Sequence, residues 1–333
     1  AWETLVAAVI RAGFVVDASW PIQTEMGSRT RALASAALSS SVWLVCKERP
    51  DTSRPGWDNV VLDEMHKKIQ ARLREFWDAG VRGPDFVWAG TGPALEAYSK
   101  HPVVKKADSP GEVMTVSEFL RHVRRLVVEF VVGRVLSHNG DSEAAVGLDD
   151  ITTYYLLHRH DFRMGEAPIG ACILYAISCG LSDAALADQY DLLVRAGGES
   201  ADQREAEDEE IEGEEDEEPT EGSGSKVRLR PWHQRRRKGM GYEAPAGRPI
   251  PLIDQVHRLM HLWKAGDVVK VDDYLDERGL RRSALFHQVL QALIELADRG
   301  SEERSLLESI SNHVTARGVA AEKGRLGLEM PPS

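Results

Sequence analysis

Apolar residues recur at helical spacing from the second residue onward. Trp2, Leu5, Val6, Val9 and Ile10 share one face, and Gly13 is a natural stop, so the spacing predicts a helix over 2–12. Residues 14–20 (FVVDASW) then read as a strand closed by Pro21. Residues 40–47 (SSVWLVCK) read as a second strand, apolar enough on both faces to be expected in a buried sheet. A loop over 22–37 joins the two, and a Pro-, Asp- and Ser-rich linker over 49–57 follows.

Beyond the linker the period lengthens to that of helices. Val61, Met65, Ile69, Leu73 and Trp77 sit four apart and make one apolar stripe. Residues 86–88 read as a short extended run, which Gly90, Gly92 and Pro93 turn into a helix over 94–100. Thr115 and Glu118 have capping-box spacing ahead of a long apolar helix over 116–136. Asp149 or Asp150 caps the helix that carries Tyr154, Tyr155 and Leu157. Pro168 suits the first turn of a helix ending at Gly180, and Ser182 caps another that ends at Gly197 and Gly198. Later, Leu252, Val256, Leu259 and Trp263 mark a helix that stops at Gly266. Residues 283–297 form a second helix, and Ser301 caps a third in which Glu302 and Glu303 favour the dipole. A disordered tail is expected beyond Arg317.

Charge changes this picture. Residues 205–221 carry twelve acidic side chains and no basic one, and the 333-residue chain has a formal net charge of -12. Without the tract the chain is electroneutral. Such a stretch cannot bury enough apolar surface to order itself, so it reads as a solvated spacer between two globular parts. Directly behind it stand Lys226, Arg228, Arg230, Arg235, Arg236, Arg237 and Lys238, seven cations in thirteen residues, with Trp232 and His233 among them. Three readings compete here. The acidic and basic stretches form an electrostatic switch, or the basic segment is a nucleic-acid arm, with Trp232 stacking on an unpaired base and the acidic tract as its decoy, or the whole is a solvated linker.

Other classes fall away. No apolar run is long enough to span a bilayer, so no membrane partner is expected. The N-terminus does not have the make-up of a signal peptide. Cys46, Cys172 and Cys179 make no Cys-x-x-Cys, and the chain reads as cytoplasmic and reduced, with Cys172 and Cys179 as core thiols. The stretch 89–95 (AGTGPAL) invites a nucleotide-loop reading, but it has no third glycine and Pro93 removes a donor; a packing turn is the plainer account. His257 and His261 stand four apart like zinc ligands, yet Arg258 occupies the place of the general base and no third ligand is evident. His158, His160 and Asp161 form a polar cluster at a helix end, read as capping and solvation or, less simply, as metal binding. No catalytic residue and no metal site is assigned.

Several stretches resemble a known family: AWETLVAAVIRAGFVVDASWPIQTE with RALASAALSSSVWLVCKERP, then GVRGPDFVWAGTGPALEAYSKHPVVKKA, LDDITTYYLLHRHDF and PLIDQVHRLMHLWKAGD. They are similar to the C-terminal parts of the large adenine-specific DNA methyltransferases found with anti-phage defence islands. The resemblance covers most of the chain outside its charged middle. It implies a class I fold, S-adenosylmethionine as cofactor, DNA as substrate and defence-system proteins as possible partners. The family's glycine-rich cofactor turn and its Asp/Asn-Pro-Pro-Tyr/Phe turn are absent; the only Pro-Pro is Pro331–Pro332, after Met330. The chain is therefore expected to follow an upstream methyltransferase portion, and it begins at Ala1 inside a helical pattern.

The resulting expectation is an α/β fragment, the last helix and two strands of a class I methyltransferase sheet, followed by mainly α-helical domains. Residues 1–48 would end the catalytic domain, 49–198 form a helical domain, 199–250 a disordered linker, 251–316 a small helical domain and 317–333 the tail. In that frame the 22–37 loop leaves the ligand-binding edge of the sheet. Arg29 and Arg31 are then candidate phosphate contacts and Trp20 lies near the cofactor or base pocket; otherwise the arginines are solvated and Trp20 is core. The nucleic-acid-binding candidates are Arg29, Arg31, Arg228, Arg230, Arg235, Arg236, Arg237 and Lys238. The competing class is a non-enzymatic helical DNA-binding or protein-interaction subunit of a phage-defence system.

Overall fold

The structure, a computed structural model, describes residues 2–22, 41–137, 147–195, 226–236, 242 and 248–326. In chain order the elements are α1 (Trp2–Arg11), β1 (Phe14–Ile22), β2 (Ser41–Glu48), β3 (Gly56–Trp57), α2 (Asp58–Asp78), α3 (Gly83–Ser99), β4 (Val104–Lys105) and α4 (Val116–Leu136). Then come α5 (Asp150–Phe162), β5 (Ala167–Pro168), α6 (Ile169–Ser178), a π-helical turn (Ala185–Gln189), β6 (Leu193–Arg195) and β7 (Lys226–Leu229). The last are α7 (Leu252–Lys264), α8 (Val268–Glu277), α9 (Ala284–Leu296) and α10 (Glu302–Leu326). The fold is mainly helical, with small sheets, as the helical periods lead one to expect.

Two compact units form. One comprises Ala1–Val131, Glu166–Ser182 and Arg195–Val227; the other comprises Val132–Gly165, Asp183–Val194 and Arg228–Ser333. The acidic tract lies outside the described residues, but it does not part the chain into successive bodies as its composition suggests. The second unit takes residues from both sides of it. The reason is local: Arg230 N–H donates to the Leu192 carbonyl at 2.7 Å, and β6 neighbours β7. The expected linker over 199–250 also contains order, since 226–229 is a strand and Trp232 is buried. The helix α10 runs through the expected tail to Leu326.

In the first unit, α1 stops at Gly13, whose φ of +88° suits glycine. The strands β1 and β2 pair antiparallel from Phe14↔Glu48 to Ile22↔Ser41, with an irregularity at Asp17. The outer edge of β1 is closed by α3, where the buried Val16 N–H donates to Ser99 Oγ at 2.9 Å. The strand β2 has β1 on one side and no second strand among the described residues. It is not the buried strand its composition predicts: Trp43 is 62% exposed and Val45 46%.

The apolar stripe of α2 forms as expected, with Val61, Met65, Ile69 and Leu73 fully buried. The expected strand, turn and helix over 86–100 are instead one helix, α3, with the glycines and Pro93 inside it. Pro93 cannot donate to the carbonyl of Ala89, the acceptor four residues back. The Ser19 hydroxyl approaches that oxygen at 3.4 Å. A capping box opens α4 as predicted: Thr115 Oγ1 accepts from Glu118 N–H at 3.1 Å, and Glu118 accepts from Thr115 N–H at 2.8 Å. Cys172 and Cys179 are buried as read from the sequence, whereas Cys46 is exposed.

In the second unit Asp149 caps α5 by accepting from Thr152 N–H at 2.8 Å, and its other oxygen accepts the Leu252 N–H that opens α7. Ser301 caps α10 as expected, and Ser283, read from the sequence as the first residue of its helix, caps α9. The helix predicted after Ser182 is only a π-helical turn followed by β6. The helix α8, which the pattern did not announce, is capped by Asp267 and buries only Val271 and Leu275.

Candidate functional site

The basic segment is the richest chemistry among the described residues, and most of it points inward. Pro231 starts a single 3-10 turn over 232–234, which places Trp232 at 4% exposure with its ring 4.8 Å from that of His261. Trp232 is thus a core residue, not a free stacking platform. The same turn delivers Arg235 into the interior. Its side chain is wholly buried and forms an ion pair with the equally buried Asp254 at 2.7 Å. Nη1 lies 2.8 Å from His257 Nδ1, Nη2 donates to Tyr190 O at 2.5 Å, and Nε donates to Asp191 O at 3.3 Å. The guanidinium also sits 5.1 Å from the Tyr242 ring centroid. Arg235 is therefore corrected from a phosphate contact to an internal clamp: buried among fixed acceptors, it cannot reach solvent.

Because a guanidinium only donates, His257 Nδ1 must accept, which leaves the ring neutral with its proton on Nε2. Burial, then the charge of Arg235, holds His257 well below the usual histidine range. His261 Nε2 lies 3.0 Å from Tyr242 Oη. The zinc-like spacing on α7 thus serves two separate contacts, and among the described residues no three His, Cys, Asp or Glu side chains are placed to hold a metal ion.

Asp191 organises the rest of the segment. It is 3% exposed and has a φ of +52°. Its Oδ1 pairs with Arg230 Nε at 2.9 Å and with Arg236 Nε at 3.2 Å, and its Oδ2 accepts the Arg236 N–H. Arg230 is mostly covered, whereas the Arg236 side chain is 68% exposed. Arg228 is half-buried on β7. Arg29, Arg31, Arg237 and Lys238 lie outside the described residues.

The HRHD cluster on α5 separates by burial. His158 is fully buried, 3.2 Å from Tyr154 Oη, and burial pushes its pKa down to about 4. His160 pairs with Asp161 at 2.8 Å nearer the surface. Arg159, also buried, pairs with Glu303 at 2.6 Å.

In the first unit a cleft of about 220 Å³ opens between Asp17 and Ser19 of β1, Lys68 and Arg72 of α2, and Pro93 and Glu96 of α3. Its charges are already paired within the fold: Lys68 with Glu96 at 2.8 Å and Glu64 at 3.1 Å, Arg72 with Glu75 at 2.6 Å, and Asp17 with Lys47. The glycine-rich stretch over 89–95 lies within α3 and forms no cofactor turn: a Cβ at Gly92 would meet Ser19 Oγ at 1.7 Å rather than open space.

Sequence reasoning missed Asp191 and Tyr242, and noted Asp254 only as an acid near His257 and His261, not as the partner of Arg235. Asp191 and Asp254 carry no local signal, since both meet their arginines across a long chain separation. Comparison with models of protein families, with curated proteins and with solved structures gives no match.

Proposed function

We propose that this chain is the C-terminal, catalytically incomplete portion of an S-adenosylmethionine-dependent, adenine-specific DNA methyltransferase. Its α1–β1–β2 unit would close the catalytic sheet, and its helical units would hold DNA or partner defence proteins. One observation supports the reading most: β2 is an apolar strand with exposed Trp43 and Val45 and, among the described residues, no strand on its outer edge, while on β1 the Val16 N–H is taken up by Ser99. Further strands would therefore add along β2 only, and the upstream portion would supply them together with both ligand-binding turns.

The test joins this chain to the reading frame upstream of Ala1 and follows labelled methyl transfer to adenine in duplex DNA. The joined protein should transfer methyl groups, the chain alone should not, and Trp43→Asp with Val45→Asp should abolish transfer in the joined protein. Transfer that ignores the β2 substitutions, or no transfer at all, overturns the reading.

The second reading, a non-enzymatic helical DNA-binding or protein-interaction subunit of a phage-defence system, is favoured by the anchoring of β1 on α3. That contact gives the hairpin support within its own unit. An inactive joined protein in which the hairpin is nevertheless folded would support it.

A further inference from the structure

We propose that Asp191 is an autoinhibitory latch that stows a basic arm, occupying on Arg230 and Arg236 the place a nucleic-acid phosphate would take. Two guanidiniums converge on one carboxylate oxygen, at 2.9 and 3.2 Å, and the second oxygen takes the Arg236 backbone N–H. This is how a phosphate is held by paired arginines and a backbone donor. The carboxylate is 3% exposed, but the Arg236 side chain it holds is 68% exposed, so a competing anion can approach from solvent.

The latch is built into a fixed frame. Arg235, adjacent to Arg236 in sequence, grips the Tyr190 and Asp191 carbonyls, so Asp191 and the arm are held together. The next residues, Arg237 and Lys238, continue the charge. Exchange of Asp191 for a phosphate backbone would free Arg230 and Arg236 while Arg235 stays clamped to Asp254. The inference rests on the DNA reading above only for the identity of the polyanion.

The test uses the full chain with Asp191→Asn, since asparagine tolerates the left-handed backbone at this position. Asp188→Asn is the control: it makes the same charge change on an exposed residue of the neighbouring π-helical turn. Two readouts are taken: the rate of tryptic cleavage after Arg236, since Pro231 bars cleavage after Arg230, and the affinity for a fluorescent duplex of mixed sequence between about 50 and about 200 mM salt. Asp191→Asn should be cut faster and should bind roughly tenfold tighter, with a salt slope steeper by about two phosphate contacts. Asp188→Asn should change neither.

Unchanged cleavage overturns the latch whatever happens to methyl transfer. Faster cleavage with unchanged DNA affinity, or an equal gain in Asp188→Asn, overturns its autoinhibitory role. Should Asp191→Asn not fold, hydrogen exchange at the Arg236 amide of the native chain decides. Saturating duplex should speed that exchange, and an unaltered rate overturns the proposal.

Discussion

The Ser19 hydroxyl stands where a side chain on Gly92 would have to go. A Cβ at Gly92 would lie 1.7 Å from Ser19 Oγ, 2.0 Å from its Cβ and 3.0 Å from its backbone nitrogen. The same hydroxyl approaches the Ala89 carbonyl, whose helical donor Pro93 has removed. One close contact thus explains why a glycine and a proline are both tolerated in the middle of α3, and it fastens the hairpin to the helices.

That contact reverses the usual sign of a helix substitution. Glycine to alanine in a helix interior normally gains about 1 kcal/mol. Gly92→Ala should instead destabilise the first unit by roughly 1–3 kcal/mol, because overpacking forces the strand away from the helix. Ser19→Gly in the same chain should recover part of the loss. Gly90→Ala should cost less, since its nearest neighbours, Val127 Cγ2 at 2.8 Å and Leu73 Cδ2 at 2.9 Å, are side-chain tips. Urea denaturation of the three variants and the parent checks the order, and a stabilised Gly92→Ala would refute the contact.

Arg235 and Asp254 form a pair in which neither side chain is solvent-exposed. Removing one member strands the other charge in the interior. Arg235→Ala should therefore cost about 3–5 kcal/mol, and Arg235→Met, which fills the space but also strands Asp254, only slightly less. Replacing both, with Asp254→Leu beside Arg235→Met, should recover much of the loss, because the stranded charge disappears with its partner. Thermal melts of the single and double variants measure this coupling.

His158 gives the second unit a pH dependence. Its folded pKa is held near 4, mainly by burial, against an ordinary value of 6.5. The unfolded chain therefore binds the proton first as pH falls. Stability should be fully present above about pH 6.5, decline between 6.5 and about 4, and level off below from this group, for a loss on the order of 3 kcal/mol. His158→Gln should make that limb shallower but not remove it, because His257, also buried and held below the usual histidine range, adds to the same decline. An equally steep decline in the variant would place the proton uptake elsewhere.

What was legible in the sequence was local. Thr115 with Glu118, Asp149 and Ser301 cap their helices within a few residues, and the stripe of α2 follows from a fixed period. What was hidden depends on distant partners. An arginine buried on Asp254 and one in solvent look alike in a run of cations, so Arg235 was assigned to DNA. A Gly-x-Gly-Pro stretch looks like a turn until Ser19 is known to fill the space beside it. The helix α8 escaped notice because its exposed Val268 and Val269 blur the period set by Val271 and Leu275. Two strands rich in apolar residues were legible, but whether another layer covers a face of the second depends on elements distant in sequence.

The β2 face offers the last test. Trp43 and Val45 alternate on one side of the strand, 62% and 46% exposed, beside an edge that no described strand occupies. Buried, these side chains would each contribute a few kcal/mol; exposed, they contribute little to the stability of this chain. Trp43→Thr with Val45→Thr, which keeps strand-forming residues, should therefore move the unfolding free energy by no more than about 0.5 kcal/mol for each substitution. An open apolar edge does promote pairing between chains. The parent chain should thus self-associate with rising concentration in sedimentation experiments, and the double variant should do so less. A loss of several kcal/mol in the variant would mean that the face is packed within the unit, and the case for strands adding along β2 would fall with it.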